Sequence, residues 1–315
     1  MVLFTSCKSL DEAANIRAVY EAYKGQKAFE KMSPMRDNLR HTLKYDLLVT
    51  DEIPKYSTAP VLMICHGASA GKHYGLEQPY PYVTKEDTDL ITYVLSTSEA
   101  TIPYVAKWAG CNRDKVLPYG MPRLDEYIGM KKGDGGTFLR DFKKSFLFCP
   151  TYRTREEGGL PNIDWSFIDS FLKDEEIMVV KWHPVTTIMP DLSIYDHIRC
   201  VSAINQTLPY VVDCDVLITD YSTVMFDAHV LQKPVVLFEK DWERYNKARG
   251  MSMDYPDMYS SYHCRTEKEL LNMIRTAKRT EHDEYIRKYV CGACDGHSTQ
   301  RVVDLINKMV GGIEK

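Results

Sequence analysis

Four reactive groups in this chain each follow a short, mostly apolar run of residues that favours β-structure. They are His66, Arg153, His183 and the hydroxyl-rich turn at residues 219–223. An arginine can hold phosphate oxygens through two parallel hydrogen bonds. A histidine can accept the proton of an attacking hydroxyl near neutral pH. This combination of residue types is typical of a site that transfers a group activated by a diphosphate.

Each of these groups also has a purely structural interpretation. His66 stands beside a glycine-rich turn, where histidines are often structural, and His183 can simply end a strand before Pro184. Arg153 can form a surface ion pair. The coincidence of all four at strand ends favours the functional interpretation, because ligands of open α/β sheets bind at the carboxyl ends of the strands.

The hydroxyl-rich turn belongs to a segment whose pattern predicts a strand, a helix and a second strand. Residues 216–219 and 234–238 are short apolar runs, and Val224 begins a helix of about ten residues. Such a helix would present unpaired N–H groups and a partial positive charge at the sheet edge. Ser222 is a good N-cap residue. Ser222 and Thr223 are therefore predicted to cradle a phosphate, and an ordinary capped helix is the alternative.

A glycine-rich turn with a lysine follows the strand predicted at residues 60–65. Three residues separate Gly67 from Gly71, where the phosphate-binding P-loop needs four, and His73 stands where that motif needs Ser or Thr. The spacing excludes a P-loop NTPase. What remains is a flexible turn that carries His66 at the end of a strand.

The rest of the chain alternates strands with helices, which predicts parallel sheets. Further strands are predicted at residues 45–50, 93–98, 115–119, 146–149 and 177–182. Helices are predicted at residues 11–32, 99–110, 165–172, 267–278, 284–290 and 298–310. The polar, glycine-rich stretch at residues 129–145 is the best domain boundary. Two domains with a similar alternation of strands and helices are expected.

Composition narrows the class of protein. With 315 residues, 44% hydrophobic and 27% charged, the chain is expected to form a globular protein of one or two domains. A net charge of −4 argues against bulk nucleic-acid binding. Nine scattered cysteines fit free thiols in a reducing compartment. The absence of a signal-peptide pattern and of a long apolar run predicts a cytoplasmic location.

Residues 24–44 form a locally basic stretch in this acidic chain. They contain six Lys or Arg residues and two acidic residues. If the stretch is helical, its face could dock on anionic lipid at about 1 kcal/mol per charge near the surface. An ordinary solvated helix face is the main alternative.

A metal site is not expected. Cys291, Cys294 and His297 are only three local ligands, one fewer than a structural zinc site needs. Asp213, Asp215 and Asp220 are unlikely to share an ion, because strand alternation separates them.

The strand-end motifs, in this order, resemble the CDP-glycerol glycerophosphotransferase family, the teichoic-acid primases and polymerases with their capsule and surface-glycan relatives. The resemblance covers roughly residues 60–310. It rests on His66-Gly67, residues 120–125, 150–153, His183-Pro184, residues 219–227, Lys233-Pro234, Tyr245 with Arg249-Gly250, and residues 295–303.

The resemblance implies an α/β, GT-B-like fold of two Rossmann-like domains facing across a cleft. Residues 1–135 would form the acceptor domain and residues 136–297 the nucleotide-donor domain. Residues 298–315 would form a helix that crosses back to the first domain.

The same resemblance implies residue roles. His66 would be the general base, and His183 a donor-phosphate ligand or acid. The other implied donor-phosphate ligands are Arg153, Thr219, Ser222 and Thr223, and the implied substrate contacts are Gly67, Asp220, Asp227 and Arg123. Ala68 and Ser69 depart from the Thr and Pro usual in the family, which places the acceptor in question.

The function implied is transfer of glycerol phosphate, or a related polyol phosphate, from CDP-glycerol to an acceptor hydroxyl, with release of CMP. No cofactor or metal is implied. The family's acceptors imply a lipid-linked glycan or polyol phosphate and a peripheral position on the inner face of the cell membrane. The alternatives are a GT-B glycosyltransferase, a CDP-ribitol enzyme, a nucleotide-sugar epimerase and a non-catalytic nucleotide-binding protein.

Overall fold

The chain forms two compact units. The computed structural model describes residues 1–32, 44–65, 67–68, 70–77, 83–154, 159–186, 188–201, 206–254 and 256–311. Residues 1–126 and 288–315 belong to the first unit, and residues 127–287 to the second. The substrate that each unit binds stays a prediction.

Each unit contains a six-stranded sheet in which every strand pair is parallel. The strands of the first sheet are β1 (Val2–Ser6), β2 (Lys27–Lys31), β3 (Leu47–Thr50), β4 (Val61–Met63), β5 (Ile91–Leu95) and β6 (Val116–Leu117). Those of the second are β7 (Lys144–Cys149), β8 (Glu176–Val180), β9 (Ile198–Cys200), β10 (Val216–Thr219), β11 (Val235–Phe238) and β12 (Tyr262–Cys264). Their spatial orders are β2-β1-β3-β4-β5-β6 and β12-β11-β10-β7-β8-β9.

Helices connect most of the strands, as parallel sheets require. They are α1 (Ala14–Ala22), α2 (Lys85–Asp89), α3 (Ile102–Ala109), α4 (Trp165–Phe171), α5 (Leu208–Asp213), α6 (Val224–Val230), α7 (Trp242–Ala248), α8 (Glu267–Thr276), α9 (Glu281–Cys291) and α10 (Ser298–Gly311). Among the described residues, no helix is both long and apolar enough to cross a bilayer.

Apolar side chains that point from the helices onto the sheets form the cores. In the first unit, Ile16 and Val19 of α1 and Ile306 of α10 pack with Phe4 and Val49. Complete burial of one such side chain stabilises the fold by about 1.5–3 kcal/mol. Helix α10 therefore contributes to the core of the first unit although it lies at the far end of the sequence.

The helix predicted at residues 11–32 is wrong in its second half. Helix α1 ends at Ala22, and Tyr23 already has an extended backbone with ψ of 127°. The chain then forms β2, which pairs in parallel with β1 so that Phe29 lies beside Phe4. Strand β1, which the sequence analysis did not predict, provides the edge on which β2 forms.

The basic stretch is accordingly not one helical surface. Lys27 and Lys31 lie in β2, and the ammonium of Lys27 donates to the carbonyls of Tyr20 and Tyr23 at the end of α1. Arg36 and Arg40 lie outside the described residues.

The strand–helix–strand segment around the hydroxyl-rich turn is confirmed. Strands β10 and β11 are parallel neighbours, with Leu217 beside Val235. Helix α6 is shorter than predicted, because Gln232 takes a left-handed backbone (φ 60°) that ends the helix before Pro234.

A half-buried ion pair joins the end of β11 to β12. The Nδ1 atom of His263 lies 3.0 Å from Glu239, and its Nε2 atom lies 2.9 Å from the carbonyl oxygen of Ser260. Both ring nitrogens therefore face acceptors, which suits the doubly protonated ring. Burial alone would lower the pKa of His263, but the hydrogen bond and negative charge of Glu239 outweigh it and raise the pKa.

This pair makes stability depend on pH. Because the pKa of His263 is raised in the folded state, its contribution is complete below about pH 6.5 and is lost as the pH rises through the folded value. We expect His263→Gln to reduce the free energy of unfolding more at about pH 6 than at about pH 9. Urea unfolding at both pH values measures this, with His282→Gln, at an exposed histidine of the same unit, as control. An equal loss at both pH values would contradict the assignment.

Candidate active site

Polar groups follow four neighbouring strands of the second sheet. His183 comes after β8, residues 151–153 after β7, residues 219–223 at the end of β10, and residues 239–241 after β11. Since all four strands are parallel, these segments lie along one edge of the sheet. The structure thus brings together the site residues that were predicted in this part of the chain.

The side chain of Arg153 is buried at this edge of the sheet and bonds to several of its polar groups. Its Nε and Nη2 atoms each donate to Asp241 at 3.0 Å, and Nη2 also donates to Asp220 at 2.9 Å. Its Nη1 atom donates to the carbonyl oxygen of Thr151. The side chain is 1% exposed, so the surface ion pair considered above does not describe it. In this arrangement Arg153 holds two carboxylates together, and direct phosphate contact by Arg153 stays a prediction.

Two tyrosines enclose the same guanidinium. Its carbon lies 5.0 Å from the ring centre of Tyr221 and 4.7 Å from that of Tyr245, and the two rings stack at 4.0 Å. The hydroxyl of Tyr221 donates to Asp241 at 3.2 Å. Burial alone would raise the pKa of Asp241, but hydrogen bonds and charge from Arg153 and Arg244 lower it. We call Arg153, Asp220, Asp241, Tyr221 and Tyr245 the arginine cluster.

Asp220 and Thr219 join the ends of β10 and β7. One carboxylate oxygen of Asp220 accepts from the N–H groups of Thr151 at 2.8 Å and Tyr221 at 2.6 Å. The hydroxyl of Thr219 donates to the carbonyl oxygen of Cys149 at 2.6 Å. Both residues are buried, and their bonds are internal to the sheet edge. Their predicted contacts with substrate remain untested.

The hydroxyl-rich turn leads into α6. Ser222 and Thr223 are half-buried, and the Ser222 hydroxyl accepts a long bond of 3.5 Å from the N–H of Val224. Asp227 lies within α6 and is 4% exposed. Burial raises the pKa of the Cys149 thiol to about 12, and the charge of Asp227 adds to that rise.

His183 stands at the exposed side of this edge. Its ring centre lies 5.1 Å from that of Tyr152, at an interplanar angle of 34°. The N–H of Val185 donates to its Nδ1 atom at 3.4 Å. This contact favours the tautomer that carries its proton on Nε2.

The sequence analysis missed several residues of this edge. Asp241 was not among the predicted site residues, and Tyr152 and Arg249 lay in motifs without an assigned role. Lys181, at the end of β8, is 5% exposed, and burial lowers the pKa of its ammonium. Tyr152 and Arg249 lie in the motifs that carry the family resemblance, which could have indicated a functional role. Asp241 and Lys181 lie in none of these motifs.

Asn15 bridges two segments of the first unit that were predicted to carry site residues. Its amide donates to the carbonyl oxygen of Cys65 at 2.8 Å and accepts from the N–H of Arg123 at 2.9 Å. Asn15 is 3% exposed, so it ties the segment before Gly67 to the Arg123 turn. His66 and Ser69 lie outside the described residues.

The motif at residues 120–125 has a structural role in this unit. Asp125 accepts from the N–H groups of Ser298 at 3.2 Å and Thr299 at 2.6 Å, which caps the start of α10. Gly120 has a φ of 85°, and a Cβ there would lie 2.4 Å from the carbonyl oxygen of Ala293. Glycine is therefore required where this turn meets the C-terminal segment.

The cysteine-rich segment near the C-terminus does not assemble a metal centre in the described part of the chain. Cys291 and Cys294 are buried, whereas the His297 side chain is 76% exposed. Across the described residues, no cluster of three or more His, Cys, Asp or Glu side chains is arranged to hold a metal ion. Asp213 and Asp215 bond instead to backbone N–H groups at residues 133–145.

Comparisons with known proteins identify the family that this sequence matches. The profile of the CDP-glycerol:poly(glycerophosphate) glycerophosphotransferase family matches residues 1–308. The teichoic acid glycerol-phosphate primase of Bacillus subtilis is 27% identical over 281 residues, which covers 84% of this chain and 72% of that protein. The teichoic acid poly(ribitol-phosphate) polymerase of Bacillus spizizenii is 25% identical over 350 residues, which covers 97% of this chain and 56% of that protein.

Two solved structures show the fold. The wall teichoic acid polymerase TagF matches all of this chain and 90% of its own chain, with a TM-score of 0.74 at 18% identity. The UDP-GlcNAc 2-epimerase of Neisseria meningitidis matches 98% of this chain with a TM-score of 0.58 at 13% identity. The predicted fold class, two Rossmann-like units of the GT-B-like type, is confirmed. With the profile match over nearly its whole length, the chain belongs to the CDP-glycerol:poly(glycerophosphate) glycerophosphotransferase family, which confirms the predicted enzyme class.

Proposed function

We propose that this chain moves glycerol phosphate, or a related polyol phosphate, from a CDP-activated donor to a hydroxyl of a teichoic-acid-like acceptor. The acceptor oxygen attacks the β-phosphorus, the bond from that phosphorus to the bridging oxygen breaks, and CMP leaves with the electron pair. The observation that carries the proposal is the convergence of His183, Ser222, Thr223 and the arginine cluster on one sheet edge, in a chain of this family.

This geometry supports the roles that we propose for residues of the second unit. Ser222 and Thr223 offer hydroxyl groups to the donor phosphates. His183 binds the diphosphate or protonates the departing CMP, since its ring stands at the exposed side of the edge. Buried hydrogen bonds of Arg153, Asp220 and Thr219 position the groups that contact the donor. Asp227 supports this edge of the sheet from within α6. Catalysis of this kind depends on positioning and on electrostatic stabilisation of the phosphoryl group.

The first unit supplies the acceptor side in this proposal. His66 takes the proton of the acceptor hydroxyl, and Gly67 and Arg123 contact the acceptor. The buried amide of Asn15 supports this assignment, because it bonds to both Cys65 and Arg123. We further propose a lipid-linked acceptor and a peripheral position on the inner face of the membrane, on the family resemblance alone.

Within the proposed function, two donors that differ in their polyol are candidates, and CDP-glycerol is the first. The match to a poly(ribitol-phosphate) polymerase, over 97% of this chain, makes CDP-ribitol the second candidate.

A panel of donors tests the function directly. We expect nucleotide release from CDP-glycerol or CDP-ribitol in the presence of a teichoic-acid primer, and about tenfold less or none from UDP- and CMP-sugars, because a misfitted donor loses transition-state contacts. Quantification of free CMP and UDP by chromatography measures it. Turnover of a UDP-sugar alone would support the epimerase or glycosyltransferase alternatives, and donor binding without any CMP would support a non-catalytic protein.

Substitution of the two histidines tests the assigned chemistry. We expect His66→Ala and His183→Ala each to lower CMP release by about 10²-fold or more, the range typical of a lost acid–base group. The His282→Ala variant is a control at an exposed histidine. Circular dichroism verifies that each variant is folded. Near-normal turnover in either folded variant removes that histidine from the mechanism.

A further inference from the structure

In the proposed function, a positively charged side chain at this edge of the sheet binds the donor diphosphate. The guanidinium of Arg153 already bonds to Asp220, Asp241 and a backbone carbonyl, and it is 1% exposed. A diphosphate that displaced one of these carboxylates would leave it buried without its cation, which is costly. A second arginine at the same edge is therefore a better candidate.

Arg249 occupies a suitable position. Its guanidinium carbon lies 4.4 Å above the ring centre of Tyr152, and the Tyr152 ring lies 5.1 Å from the ring of His183. Arg249, Tyr152 and His183 thus form a continuous stack, which we call the edge stack. Arg249 and Tyr152 are half-buried and His183 is exposed, so the stack reaches the surface of the unit.

The arginine cluster fixes the position of Arg249. The N–H of Arg249 donates to the carbonyl oxygen of Tyr245 at 2.9 Å, at the end of α7. Tyr245 is 2% exposed and stacks on Tyr221. Asp241, which directly precedes α7, is bound by Arg153. The ion pair of Arg153 with Asp241 therefore anchors the start of α7, and the buried Tyr245 anchors the turn from which Arg249 projects.

We propose that Arg249 binds the diphosphate of the donor, with Tyr152, whose ring also contacts His183, as the platform that orients its guanidinium plane. The assignment rests on the proposed function. A planar guanidinium can give two parallel hydrogen bonds to phosphate oxygens, and an aromatic face restricts its orientation. Neutral hydroxyls at Ser222 and Thr223 bring no fixed positive charge, whereas Arg249 brings one at any physiological pH.

The test measures donor affinity without turnover. Isothermal titration of the full chain with CDP-glycerol, and separately with CDP, gives the Kd of wild type, Arg249→Ala, Arg249→Lys and Tyr152→Ala. We expect Arg249→Ala to weaken both ligands by about 10- to 100-fold, the usual loss for a charge-assisted bond. Arg249→Lys should lie between it and wild type, because lysine keeps the charge and loses the planar fork.

A matched control lies on the same helix. Lys247 is exposed in the last turn of α7, so Lys247→Ala removes the same charge two residues away, and we expect its Kd to stay within about twofold of wild type. The salt dependence of binding should also be weaker in Arg249→Ala than in wild type and Lys247→Ala.

The outcomes separate this assignment from the function on which it rests. If wild type binds CDP-glycerol or CDP and Arg249→Ala binds as tightly as Lys247→Ala, the Arg249 assignment is overturned and the transferase function stands. If wild type binds CDP but not CDP-glycerol, the polyol is wrong and a selective loss in Arg249→Ala still supports the assignment. If wild type binds neither ligand, both proposals fail.

Discussion

The second unit depends on one buried cation held between two buried carboxylates. Arg153 follows β7, Asp220 follows β10 and Asp241 follows β11, so the contacts at 2.9–3.0 Å tie three strand ends to each other. Removal of one partner from such a group costs about 3–5 kcal/mol, because the charge left behind is still buried. Tyr221 and Tyr245 close the group from solvent, and α7 begins directly after Asp241. The positions of the polar groups after β7, β10 and β11 therefore depend on the arginine cluster.

The sequence predicted the elements that carry a strong local pattern. Strands β7, β8, β10 and β11 each contain an apolar run of three or four residues, and they lie where the pattern placed them. Apart from β1, which is a buried run of mostly apolar residues, several of the elements that were missed have little pattern to detect. Strands β9 and β12 have three residues each, and α7 buries only Tyr245, so it shows no apolar face. Strand β2 depends on pairing with β1, a non-local contact that spacing along the chain cannot reveal.

In the candidate site, too, the features with a local sequence signal were predicted, and those that depend on contacts between distant residues were not. Residue type and position after a strand were enough to single out Arg153, His183 and the hydroxyl-rich turn. They could not show that Arg153 is enclosed, because Asp241 lies far along the chain in a segment without periodicity. Nor could they show Arg249 against Tyr152, a contact that exists only once α7 is anchored. A buried arginine and an accessible one look alike in a sequence, and the position of their carboxylate partners distinguishes them.

A double-mutant cycle on Arg153 and Asp241 tests this account most directly. The free energy of unfolding would be measured in urea for wild type, Arg153→Gln, Asp241→Asn and the double variant. The account predicts a loss of about 3–5 kcal/mol in each single variant, and a double variant less destabilised than their sum by about 0.5–3 kcal/mol. Losses that add to within about 0.5 kcal/mol would contradict the claim that this ion pair organises the edge.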